Sequence, residues 1–174
     1  MNSSAKNEFL KNEIWLLAFG GAFQRSNIYK PNTTELERKH FRIKLRGFIE
    51  DTILERYNKK VDESDLLEAI SSISGFTQNF KDELKQPLKI GVSQKLLNLV
   101  LKYYWCLGWI AEPPHFPVDR IIQKELPLHK RMNWTTLDSI EDYMSIVAEA
   151  RNQLQKDETP ATWELRNFRR NSAL

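Results

Sequence analysis

Apolar residues recur at helical spacing along this chain, and no stretch of any length alternates apolar with polar as a half-buried strand would. Phe9, Leu10, Ile14 and Leu17, with Trp15 and Leu16, predict a first helix over residues 7–19, which Gly20-Gly21 should end or kink. After a turn near Pro31-Asn32, the stripe Phe41, Leu45, Phe48, Ile49, Ile53 predicts a second helix, capped by Thr33 or Thr34 and running to Tyr57. Asp62, with Asp65 three residues on, opens a third helix through Ile73, broken by Gly75. Residues 77–86 read as a short helix before Pro87. Residues 94–108 are apolar almost all round (Leu96, Leu97, Leu99, Val100, Leu101, Tyr103, Tyr104, Trp105), so this helix belongs in the middle of the fold. A Pro113-Pro114 loop follows, then a helix from near Pro117 to before Pro127. Thr135 or Thr136 caps a helix carrying Leu137, Ile140, Tyr143, Met144 and Val147 to about Leu154. Thr159 caps the last helix, with Pro160 at its first position, where the missing N–H costs nothing. The expected fold is all-α, with seven or eight helices.

Composition narrows this picture without deciding function. The 174 residues make one domain over 1–174, or two small lobes sharing a core. An apolar fraction of 41% and a charged fraction of 28% are those of a soluble globular protein. A net charge of +3 permits a nucleic-acid partner without demanding one. The single cysteine, Cys106, excludes an internal disulfide framework and a four-cysteine metal or iron–sulfur site, and it reads as a small core hydrophobe. With three histidines and no ligand constellation, no metal and no cofactor are expected. Lys102 interrupts the longest apolar run, so no membrane association is expected. The polar start MNSSAKNEFLKNE lacks a signal peptide's apolar run, and the expected location is cytoplasmic.

The chemistry concentrates between Leu88 and Ile122. Ile90-Gly91-Val92-Ser93-Gln94-Lys95 reads as a turn in which Gly91 takes φ > 0 and Ser93 caps the following helix, leaving Lys95 in its first turn. A cation there is unfavourable against the helix dipole, which suggests a role other than helix stability. Val118-Asp119 follows 24 residues after the lysine, near the start of the next helix. This arrangement resembles the helix-hairpin-helix DNA glycosylases, whose hairpin runs hydrophobic-Pro-Gly-Val-Gly-x-Lys and is followed, after a helix, by Val-Asp. Gly91-Val92, Lys95 and Val118-Asp119 carry the match; Ile90 and Ser93 depart from it, and the gap from lysine to aspartate is longer than usual, as in the archaeal 8-oxoguanine branch.

The resemblance implies a helix-hairpin-helix element at 85–109, two lobes and a base-excision activity in DNA repair. Lys95 would be the nucleophile and Asp119 the essential carboxylate, with lyase activity if a Schiff base forms. Lys89, Gly91, Ser93 and Gln94 would bind the DNA backbone. A flipped base needs aromatic faces and a few polar groups. Phe23, Gln24, His115 and Trp163 are the substrate-binding candidates, with Trp105 and Trp134 as further aromatics. The branch implies Gln24 and Trp163 in particular. The base would be 8-oxoguanine or a modified pyrimidine, as in phage DNA attacked by a bacterial defence enzyme. The partner would be DNA; the sequence leaves the oligomeric state open, with a monomer favoured. The rival is a non-catalytic DNA-binding or interaction protein on the same scaffold. Geometry separates the two, because an enzyme needs Lys95 and Asp119 to open onto one cleft.

Overall fold

A computed structural model of the chain describes residues 2–169. Among these the fold is all-α: α1 (Asn2–Phe23), α2 (Glu35–Thr52), α3 (Glu63–Phe76), α4 (Ile90–Cys106), α5 (Arg120–Lys124), α6 (Ile140–Arg151) and α7 (Pro160–Asn167). No described helix is long and apolar enough to cross a membrane. One continuous apolar cluster draws on every helix, from Ile14 and Trp15 on α1 to Trp163 on α7. Any lobes therefore share a single core.

Helix α4 lies at the centre, as its all-round apolar pattern predicts. Leu96, Leu97, Val100 and Leu101 have no exposed surface. α1 packs along it so closely that a Cβ on Gly21 would meet Leu99 Cδ1 at 2.8 Å. Gly20-Gly21 therefore does not end α1: the helix runs on through the pair to Phe23, and Gly21 admits the neighbouring helix. The start of α2 follows the expected chemistry, with a capping box in which Thr34 Oγ1 accepts from the Glu37 amide and the Glu37 carboxylate accepts from the Thr34 amide. The helix stops at Thr52, short of the expected Tyr57, and continues as a 3-10 turn over Leu54–Asn58. Thr159 and Thr162 form the matching device at α7, with Pro160 just inside.

Several local expectations fail. Ser139, not Thr135 or Thr136, caps α6, which begins after Leu137, and Asp62 at the N-cap of α3 makes no side-chain cap hydrogen bond. Gly75 lies inside α3, which ends at Phe76. No helix forms over 77–86; a 3-10 turn at Thr77–Asn79 leads into irregular chain that bridges Tyr29 through Leu84. Cys106 is exposed, on the last turn of α4 where the helix leaves the core.

Candidate active site

The start of α4 differs most from the sequence-based expectation. Lys89, in extended conformation, occupies the N-cap position and the helix begins at Ile90. Gly91 is therefore helical, and among the described glycines only Gly108 has positive φ, at 71°. Glycine is required at 91 for another reason. The backbone of Trp134 lies across it so tightly that a Cβ would fall 1.8 Å from Trp134 O, and the Gly91 amide donates to Leu137 O at 2.9 Å. The amides of Val92 and Ser93 donate to Lys89 O. Gly91, Ser93 and Gln94 are buried, and Lys89 pairs with Asp138 at 3.6 Å. The expected phosphate-gripping turn is thus an enclosed helix start, covered by residues 134–137. The element at 85–109 is a loop leading into one helix rather than two helices joined by a hairpin.

Lys95 sits in the second turn of α4 and Asp119 at the N-cap of α5, and the fold brings them together. Lys95 Nζ lies 3.0 Å from Asp119 Oδ2. Asp119 Oδ1 accepts from the amides of Ile121 (2.8 Å) and Ile122 (3.0 Å), which fixes the carboxylate's orientation and leaves Oδ2 to the amine. Both residues are only 8% exposed. Burial lowers the Lys95 pKa from its ordinary value; Asp119 opposes this, and Arg25 adds a small push downward. Desolvation is the main cause. The indole of Trp134 lies beneath the amine, 4.1 Å from Nζ to the ring centroid.

The two residues share the wall of one cleft of about 400 Å³. Leu16, Leu17, Gly20, Gly21, Gln24 and Arg25 come from α1 and the turn after it. Leu99 and Tyr103 continue the Lys95 face of α4, and Ile121 and Phe168 complete the walls. A somewhat larger hollow, about 480 Å³, lies between the start of α1, the 3-10 turn and Trp109; it holds no buried charged side chain, and its one buried polar group is the Tyr104 hydroxyl.

Of the substrate-binding candidates, only Gln24 lines the cleft. Phe23 packs into the core against Phe19, Tyr29 and Phe41. Trp163 is 2% exposed and packs on Phe116. His115 is 1% exposed, with Nδ1 2.9 Å from Tyr143 Oη and Nε2 3.7 Å from Glu63 Oε2. These three are structural. The spacing 95, 99, 103 on α4 is a legible signal for Leu99 and Tyr103, since it places them on the lysine's face of the helix. Phe168 carries no such signal. Its ring lies 4.4 Å from Lys102 Nζ, and Lys102 pairs at 2.6 Å with Glu164, a carboxylate whose pKa burial raises.

Gln94 acts on the site from behind. Its Nε2 donates to Val118 O at 2.7 Å and to Gly91 O at 2.9 Å, while its Oε1 accepts from Val118 N at 3.1 Å and from Asn98 Nδ2 at 3.3 Å. The side-chain amide thus pairs with both backbone groups of the residue preceding Asp119. Asn98 Nδ2 also donates to Tyr143 Oη at 3.0 Å, so a buried polar chain joins Val118, Gln94, Asn98, Tyr143 and His115. No family model, curated protein or solved structure matches this chain.

Proposed function

We propose that this protein is a DNA glycosylase that excises a damaged or modified base by way of Lys95 and Asp119. The observation that carries the reading is the buried 3.0 Å contact between Lys95 Nζ and Asp119 Oδ2 on the wall of a cleft that also presents Gln24. An amine is nucleophilic only without its proton, and burial favours that form. Transfer of a proton from Nζ to Oδ2 frees the lone pair to attack C1′ of the sugar. The C1′–N bond breaks with its electrons passing to the base, which leaves on taking up a proton. Opening of the sugar ring gives an imine to Lys95, and loss of a C2′ proton from it breaks the strand on the 3′ side. A flipped base in the cleft would meet the Phe168 ring and the Gln24 amide. 8-Oxoguanine and a modified pyrimidine are the two base classes proposed, in repair or in defence against phage.

The test is a panel of duplexes, each with one modified base, scored for abasic sites and for borohydride-trapped protein. Base release from at least one duplex and a trapped adduct are expected. Lys95→Ala should abolish trapping while DNA binding persists. Asp119→Asn, which keeps shape and removes charge, should slow release by ~10²–10⁴-fold with the protein folded. Release that survives Lys95→Ala but not Asp119→Asn means a water-using glycosylase. Release indifferent to both refutes the site. DNA binding with no release from any duplex favours the non-catalytic alternative.

A further inference from the structure

The enclosed start of α4 leaves open which surface would meet a DNA backbone. We propose that the segment 120–131 is that surface. The choice of DNA as partner rests on the glycosylase reading; the choice of surface rests on charge and geometry.

Segment 120–131 carries four Lys or Arg side chains (Arg120, Lys124, Lys130, Arg131) against one carboxylate, Glu125. That excess equals the +3 of the whole chain, so the remaining residues balance to zero. All four cations, and His129, are exposed. None forms an ion pair or side-chain hydrogen bond among the described residues, whereas Arg42, Arg46, Arg151 and Arg166 each face a carboxylate within 3.0 Å. Solvent alone accounts for many such charges on protein surfaces. Two further features make this segment different.

The first is that it is held in shape. Gln123, with no exposed surface, closes the base of the loop: Nε2 donates to Met132 O at 3.1 Å and Oε1 accepts from Met132 N at 2.9 Å. Leu126 is buried and Leu128 packs against the core. The cations therefore project from an anchored backbone, and less ordering entropy is lost when phosphates bind.

The second is where its ends lie. Asp119 precedes the segment and Trp134 follows it, and both touch Lys95 Nζ, at 3.0 Å and at 4.1 Å to the ring centroid. A strand laid along this loop is thereby kept next to the amine. Arg25, exposed and lining the same cleft from the turn after α1, adds a further cation.

The experiment compares two triple variants that remove equal charge. Lys124→Ser/Lys130→Ser/Arg131→Ser alters the loop; Lys59→Ser/Lys60→Ser/Lys156→Ser, also exposed, is the control. None of these side chains has a described partner, so both proteins should fold, which circular dichroism checks. Binding to an unmodified duplex is measured as a function of salt. For the loop variant the slope of log K against log salt should flatten by ~0.9 for each phosphate no longer neutralised, about two to three in all, with affinity falling at least tenfold near physiological salt. The control should change neither by comparable amounts. Equal effects in the two variants, or no duplex binding by the native chain, overturn the proposal. Base release is scored in parallel. Loop-dependent binding without release keeps the surface and discards the glycosylase; release with loop-independent binding does the reverse.

Discussion

Replacing Gln94 with leucine should be among the most damaging single changes in this protein, although the sequence pattern points Gln94 at the DNA. Leucine has similar volume and fills the space with little cavity. It strands three buried groups: the Val118 amide, the Val118 carbonyl and one N–H of Asn98. Each buried group left without a partner costs ~1–3 kcal/mol, and the extra apolar burial returns only part of that. The expected loss is about 3–6 kcal/mol, against a typical domain stability of about 5–15 kcal/mol. Urea unfolding followed by tryptophan fluorescence measures it, provided the slope with denaturant is unchanged. Gln94→Glu is the companion. It keeps an acceptor for Val118 N and Asn98 but points a carboxylate at Val118 O and Gly91 O, so it should also destabilise. On the proposed glycosylase reading, and under conditions where both variants are folded, base release should suffer more than DNA affinity, because Val118 sets the position of Asp119. A loss under about 1 kcal/mol for the leucine variant would refute the clamp, since it would mean that Val118 does not depend on Gln94.

Two further outcomes follow from the same region. Gly91→Ala sets a methyl group 1.8 Å from the Trp134 carbonyl, where only backbone movement gives relief, and should cost about 3 kcal/mol or more; Gly20→Ala, with nothing within 4 Å of the added carbon, should be neutral or gain up to ~1 kcal/mol from helix propensity, so equal thermal shifts would contradict the packing. Burial lowers the His115 pKa to about 4, with Glu63 opposing, so between pH 4 and 6.5 the unfolded chain binds the extra proton and stability must rise with pH. That contribution is ~3 kcal/mol across the window, is lost on acidification, and should vanish in His115→Phe; an unchanged pH slope would contradict it.

How far the sequence carries can be judged residue by residue. The helical spacing of Phe41, Leu45 and Ile49 and the caps at Thr34 and Thr159 act locally, and they are legible. Lys95 and Asp119 are legible as a pair because a pattern of residue types links them, and the fold places them in contact. Gly91 reads as a turn because a glycine that relieves backbone strain and one that admits a neighbour's carbonyl look alike in sequence. The neighbour, Trp134, lies far along the chain. His115, Phe23 and Trp163 mislead for a similar reason: an aromatic or imidazole suits a core as well as a pocket, and only packing decides. Cys106 has apolar sequence neighbours, yet it falls on the helix face and turn that point outward. Gln94 and Gln123 are invisible as clamps, because an amide that pairs with a distant backbone leaves no local pattern.

The cleft's walls come from residues 16–25, 95–103, 119–121 and 168. During synthesis α1 emerges before α4, with Phe9, Leu10, Leu16 and Leu17 still exposed even in the finished fold. Its cleft-facing side has no partner until α4 follows, and the wall at Phe168 waits for α7. For most of translation the nascent chain therefore presents a long apolar helix to solvent or to whatever chaperone meets it. Loop closure over this separation makes the site slow to assemble relative to its helices. In that interval the amine at position 95 is hydrated and fully basic. Its lowered proton affinity arises only as the surrounding chain closes over it, so that property belongs to the assembled fold and not to α4 on its own.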